Sequence, residues 1–277
     1  MRSTIYSILI LLLMSACNSV DETKQSQGIS KFASSQSFQN AHELPGNLSY
    51  QGKGNYIKIP SPSGKDVNAF FLEAEQESKD YIFIIHEWWG LNDYALREAE
   101  NLFNQFEHIN VLALDMYDGN VATNRAEASE FMKAVKTERA IEIVRAVIDY
   151  TGEEANIATL GWCFGGGWSL KTAIEAAEKA SACVIYYGSP VEQAIELAPL
   201  QAPILGIFAE NDKWINHEMI DKFKVLTTAT NKSFDEHWFD ADHAFANPSG
   251  GRYNEEAAQD AYELVVSFLE KNWHSEN

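Results

Sequence analysis

Ile157-Ala158-Thr159-Leu160-Gly161-Trp162-Cys163-Phe164-Gly165-Gly166-Gly167 is the stretch on which the fold turns. A short apolar and β-branched run reads as a buried strand, G-x-C-x-G-G as a tight turn, and the helically spaced Trp168–Lys179 as the helix that follows. This has the form of a nucleophile elbow with sulfur in place of oxygen. Its glycines stand where a side chain would clash. Such a turn lifts Cys163 above the sheet edge. It also aims a helix N-terminus at the sulfur, where aligned peptide dipoles favour a thiolate or a developing oxyanion. The plainer reading is a glycine-rich helix cap over a buried cysteine; the strand–turn–helix context favours the elbow.

Outward from the elbow, apolar runs alternate with amphipathic ones. Asn55–Pro60 and Val67–Ala74 read as strands around the turn Pro62-Ser63-Gly64, and Tyr81–Ile85 and Val111–Leu114 as strands buried on both faces. Ala95–Phe106 and the long Arg125–Tyr150 carry helical apolar stripes. Ala182–Tyr187, Ile204–Ala209 and Phe234–Phe239 are further strands, with helices expected at Glu218–Thr228 and Glu255–Asn272. The pattern predicts an α/β fold, with a mostly parallel central sheet and helices on both faces. No second linker interrupts it, so residues 45–277 read as one catalytic domain. In such folds ligands sit beyond the carboxyl ends of the strands.

A nucleophile at that edge needs a base, and the base an orienting acid, in the chain order nucleophile, acid, histidine. Strand Ile204–Ala209 runs into Glu210-Asn211-Asp212, and Phe234–Phe239 into Asp240-Ala241-Asp242-His243. Asp212 and His243 therefore fall on the same edge as Cys163, while Asp240 and Asp242 compete for the orienting role. His108, His217, His237 and His274 lie at helix ends or mid-strand and fit worse. The loop His86-Glu87-Trp88-Trp89-Gly90-Leu91-Asn92 follows Tyr81–Ile85 to that edge too. Its backbone can supply a second oxyanion donor beside the Phe164 N–H.

Five motifs then occur in one order: H-E-W-W-G-L-N, L-A-L-D-M-Y-D-G-N-V-A-T, G-W-C-F-G-G-G, E-N-D and D-H-A-F-A-N. Over residues 50–272 the chain resembles the dienelactone hydrolase family, members of the α/β-hydrolase superfamily with a Cys-His-Asp triad. The resemblance implies Cys163 as nucleophile, His243 as base and Asp212 as orienter. It makes Glu87 the glutamate that contacts the resting cysteine, and the N–H groups of Trp88 and Phe164 the oxyanion hole. It implies no cofactor. The arginines with which family members clamp a substrate carboxylate are missing: Asp118 and Gly119 follow Tyr117, and Asn247 stands four residues after His243. Arg125 and Arg252 are the nearby candidates to replace them. Trp89, Tyr117, Trp214, Phe245 and Asn247 are expected to line the substrate pocket. With no arginine clamp, short neutral esters or lactones are the expected substrates.

The ends of the chain carry a different message. Residues 1–16 read as a secretion signal, with Arg2 as positive region and Ile8–Met14 as an apolar run too short to span a bilayer. Leu13-Met14-Ser15-Ala16-Cys17 resembles a bacterial lipobox, which makes Cys17 the lipidated first residue of an envelope lipoprotein held at a membrane. Residues 17–44, rich in Ser, Gln and Asn, read as a flexible tether. The sequence has 277 residues, with 21 Lys and Arg against 40 Asp and Glu, a formal net charge of −19. That balance argues against a nucleic-acid partner, whose phosphates are held by Lys and Arg. No His/Cys/carboxylate set has the spacing of a metal site. Two other readings remain at this point: a non-catalytic binding lipoprotein that keeps the hydrolase fold, and a redox or disulfide role for Cys163 with Cys183.

Overall fold

The computed structural model describes residues 28–273. The stretch expected to be a signal peptide and the expected lipidation site Cys17 lie outside the described residues. An N-terminal strap of a 3₁₀ turn, Gly28–Phe32, and the short helix α1, Gln36–Asn40, precedes the sheet. The strands are β1 Asn55–Ile59, β2 Val67–Leu72, β3 Asp80–Ile85, β4 Asn110–Leu114, β5 Asn156–Trp162, β6 Ala180–Tyr186, β7 Ile204–Ala209 and β8 Phe234–Phe239. The helices after the strap are α2 Asp93–Gln105, α3 Arg125–Ala134, α4 Thr137–Tyr150, α5 Phe164–Ala176, α6 His217–Ala229 and α7 Glu255–Trp273.

The eight strands lie in the order β1-β2-β4-β3-β5-β6-β7-β8. β1 and β2 form an antiparallel edge, and β4 through β8 run parallel. The chain winds first from β3 to β4 and then crosses back to β5. The order therefore reverses beside β3, and the crevice of such a sheet opens at that switch point. Both central strands are apolar because helices cover both faces: Ile82 to Ile85 and Val111 to Leu114 are all buried.

Two expectations need correction. Arg125–Tyr150 is not one helix, because Val135 and Lys136 adopt extended backbone and split it into α3 and α4. Residues 28–44 are not a flexible tether. Ile29, Ala33, Phe38, Ala41 and His42 are all buried, and Phe38 packs edge-on against Trp88 and Trp214 with ring centroids 5.6 and 5.2 Å away. Ser129 Oγ donates to Ala33 O at 2.7 Å and Arg125 Nε to His42 O at 2.6 Å, tying the strap to α3. Burial of these few apolar side chains offsets an ordering entropy that the polar composition alone does not. The folded unit thus begins no later than Gly28.

Candidate active site

Cys163 sits between β5 and α5 with φ 54° and ψ −113°. A non-glycine residue there is strained, at a cost of about 1–3 kcal/mol, which the packing around it must offset. That packing leaves no room for side chains on the flanking glycines. A Cβ on Gly165 would stand 2.1 Å from Ile85 O, and one on Gly161 2.2 Å from Gly165 O. The elbow is therefore as the sequence predicts, with the start of α5 pressed against the end of β3.

His243 follows β8, and its Nδ1 lies 2.5 Å from Asp212 Oδ2. Asp212 Oδ1 accepts from the Trp214 and Ile215 N–H groups at 2.8 and 3.0 Å. Because the carboxylate accepts, His243 Nδ1 carries the proton and Nε2 presents its lone pair. That Nε2 is buried without a hydrogen-bond partner. Asp240 accepts from Asn211 Nδ2 at 3.2 Å instead. The competition among the three acids is thus decided by contact.

Cys163 is fully buried and its thiol is pushed well above the ordinary value, first by burial and then by the Glu87 carboxylate, while the Phe164 N–H pulls the other way. The resting sulfur is therefore a thiol. Glu87 is partly buried, and burial raises its carboxyl although Asn247, His243 and Tyr187 pull it down. Glu87 Oε2 accepts from Asn247 Nδ2 at 2.5 Å and Oε1 from Tyr187 Oη at 3.3 Å. Asn247, expected in the substrate pocket, thus holds Glu87 as well.

The partner that the sulfur does meet was not among the expected site residues. His42 Nε2 stands 3.9 Å from Cys163 Sγ. Its Nδ1 lies 2.8 Å from Phe38 O, and burial, with the nearby His243, lowers its pKa well below 6.5. The ring is therefore neutral, with Nδ1–H donating to the carbonyl and Nε2 open toward the thiol. His42, Cys163 and His243 bring one ligand atom each within 4.8 Å of one another, a grouping that sequence spacing gave no sign of. The visible signal was the apolar series Ile29, Phe32, Ala33, Phe38 and Ala41 leading into His42.

The expected pocket residues do not line one cavity. Trp89 and Asn247 line a cavity with Glu87, Tyr94, Trp162 and Pro248. Trp214 borders a separate one with Lys31, Phe32, Val191 and Met219. Tyr117 and Phe245 are buried, Tyr117 against His86 and Phe164 and Phe245 against Tyr187 and Phe239. Trp88 is buried beneath Phe38 and His42. Arg125 is engaged with the His42 carbonyl, and Arg252 borders an acidic surface cavity with Asp240, Asp242 and Glu255. Cys183 is buried in β6 and, like Cys163, forms no disulfide.

Comparison with known proteins shows the family and the fold. The sequence profile of the dienelactone hydrolase family matches residues 67–273. The chain is 28% identical over 214 residues to "Protein usf" of Aquifex pyrophilus, covering 69% of this chain and 87% of that one. It is 28% identical over 162 residues to a carboxymethylenebutenolidase of Pseudomonas sp. (strain P51), covering 56% and 66%. Among solved structures, a putative dienelactone hydrolase from Klebsiella pneumoniae superposes with a TM-score of 0.69 at 18% identity, covering 79% of this chain and 98% of that one. A dienelactone hydrolase-like promiscuous phosphotriesterase from metagenomic libraries superposes at 0.66 and 18%, covering 80% and 99%, so the fold is shared.

Proposed function

The chain belongs to the dienelactone hydrolase family and is a hydrolase of carboxylic ester or lactone bonds; we propose that it works through a Cys163-His243-Asp212 triad and an acyl-cysteine, as a lipoprotein anchored through Cys17 in a bacterial cell envelope. The single observation that carries the mechanism is the Asp212–His243 contact at 2.5 Å, with the free Nε2 of His243 buried in the cluster that holds the Cys163 sulfur.

The steps follow from the protonation states. Burial keeps Cys163 a thiol, so its proton leaves as the sulfur attacks the substrate carbonyl, and His243 Nε2 takes it. Asp212 holds the imidazolium that forms and is itself fixed by two backbone N–H groups. The Phe164 N–H, at the start of α5, and the Trp88 N–H would face the oxyanion. His243 returns the proton to the leaving alcohol, or to the ring-opened end of a lactone. Water, deprotonated by the same histidine, then cleaves the acyl-cysteine. Glu87, held by Tyr187 and Asn247, opposes a resting thiolate at Cys163, so the proton leaves only as the sulfur attacks.

A second reading, a non-catalytic binding lipoprotein, draws on the strap, which leaves Cys163 with no exposed surface. Catalysis requires the strap to yield. On substrate, the missing arginine clamp and the net charge of −19 disfavour anionic lactones and favour short neutral esters or lactones. Measuring kcat/KM over a panel of neutral esters, lactones and a carboxylate-bearing dienelactone tests both points. Turnover of neutral substrates that Cys163→Ala abolishes is the expected result. No turnover across the panel supports the binding module, and a preference for the anionic lactone overturns the substrate assignment. Fractionation of cells carrying Cys17→Ser checks the anchor: the wild type is expected with membranes, the variant in the soluble fraction.

A further inference from the structure

The cluster of His42, Cys163 and His243 has the chemistry of a metal site. It offers one sulfur and two imidazole nitrogens, all within 4.8 Å of one another. Sulfur and imidazole together select soft or borderline divalent ions, zinc above all. Both imidazoles are already held in the tautomer a metal requires. His42 Nδ1–H donates to Phe38 O at 2.8 Å and His243 Nδ1–H to Asp212 at 2.5 Å, so each ring turns an Nε2 lone pair inward. A carbonyl or carboxylate on the far nitrogen is the usual outer support of a ligating histidine, fixing its orientation and raising its basicity. The second, independent sign is His243 Nε2 itself, a fully buried nitrogen without a partner.

The geometry is close. With Zn–S of about 2.3 Å and Zn–N of about 2.0–2.1 Å, ligand atoms around a tetrahedral zinc stand roughly 3.3–3.6 Å apart. His42 Nε2 and Cys163 Sγ are 3.9 Å apart before any ion has drawn them together. Charge also fits. A bound Zn²⁺ would sit among the Cys163 thiolate, the Asp212 carboxylate behind His243 and the Glu87 carboxylate, whose field already bears on the sulfur.

We propose that His42, Cys163 and His243 bind one divalent cation of the zinc class, leaving a fourth position for water or a small anion. Binding replaces the S–H bond of Cys163 with a metal–sulfur bond, and the proton passes to solvent without any change of oxidation state. The site exists only when the strap is docked, because His42 comes from it. The ion enters as the strap lifts and is retained when it closes, and a metal on the sulfur blocks its use as a nucleophile. The inference stands whether or not the chain hydrolyses esters, since it concerns the cluster alone.

The test uses the full chain without a polyhistidine tag, stripped with chelator and titrated with Zn²⁺ against a chromophoric chelator, then loaded with Co²⁺ for its absorption spectrum. The wild type is expected to take one ion per chain and to show a thiolate-to-cobalt charge-transfer band. His42→Ala is expected to weaken binding tenfold or more, and Cys163→Ala, which keeps the strap's own residues, to lose the band and at least as much affinity. His217→Ala, an exposed histidine on Glu210, is the control and leaves binding unchanged. Absence of stoichiometric binding, a cobalt spectrum without the thiolate band, or wild-type affinity in Cys163→Ala overturns the proposal.

Discussion

At the scale of single residues, the proposed catalytic triad is legible in the sequence because each member follows a strand end. The carboxyl edge of a parallel sheet is a place that strand periodicity can locate, and Cys163, Asp212 and His243 are each one to four residues past a strand or within its last turn. Their relation is cooperative. If His243 takes the proton that Cys163 must lose, removing either member should abolish nearly all that the pair contributes. His243→Ala should therefore cost nearly as much in kcat as Cys163→Ala, and the double variant little more than either alone. Steady-state kinetics of the three variants check this, and additive losses in the double variant would mean the two act separately. His42 was illegible for the opposite reason. It follows no strand of the sheet, and nothing local says where a strap preceding the sheet will land.

At the scale of elements, the strap and the β1–β2 turn are the informative pieces. The strap lies outside the sheet and is held by a handful of buried side chains and two side-chain hydrogen bonds to α3, so it is expected to open as a unit. Phe38 is its main anchor, fully buried between Trp88, Trp214 and His42. Phe38→Ala in a core commonly costs about 3–5 kcal/mol, but here the loss is capped by the free energy of undocking the strap. The expected readout is faster alkylation of Cys163 by iodoacetamide, followed by peptide mapping, with Cys183 still protected inside β6. Equal rates in wild type and variant would show that the strap does not control access.

The β1–β2 turn is fixed to α4 by Glu142, whose Oε1 accepts from Ser61 Oγ at 2.7 Å and from the Ser63 N–H at 2.9 Å, while Oε2 accepts from Arg139 at 2.8 Å. These bonds, with the Ser63 hydroxyl contribution largest, hold its pKa at about 2 against an ordinary 4.5. A depressed carboxyl contributes stability that is present above pH 4.5 and is lost as pH falls toward 2. Glu142→Gln should thus lower Tm at neutral pH, and the gap from wild type should close by about pH 2. A gap independent of pH would place the effect in packing. The helix α4 itself was only half legible. Helical apolar spacing runs through both segments, so they read as one helix, and the break at Val135-Lys136 carries no proline or glycine to mark it.

At the scale of the whole molecule, the sheet order, the single folded unit and the acidic surface act together. Apolar runs alternating with amphipathic ones made the α/β class legible. The strap contradicted its composition because a handful of aromatic and aliphatic residues in a polar stretch can still find a groove when the rest of the domain supplies one. The net charge of −19 sets the long-range field that an anionic substrate would meet, and neutral substrates escape it. The central claim of the proposed mechanism is that the Cys163 sulfur carries the acyl group. Mixing the enzyme with a neutral ester, quenching in acid within the first turnovers and measuring intact mass and peptides tests that most directly. The account predicts a mass increase equal to the acyl group, located on the peptide that contains Cys163 and absent from Cys163→Ala. Turnover with no adduct on Cys163, or with the acyl group on another residue, would contradict it.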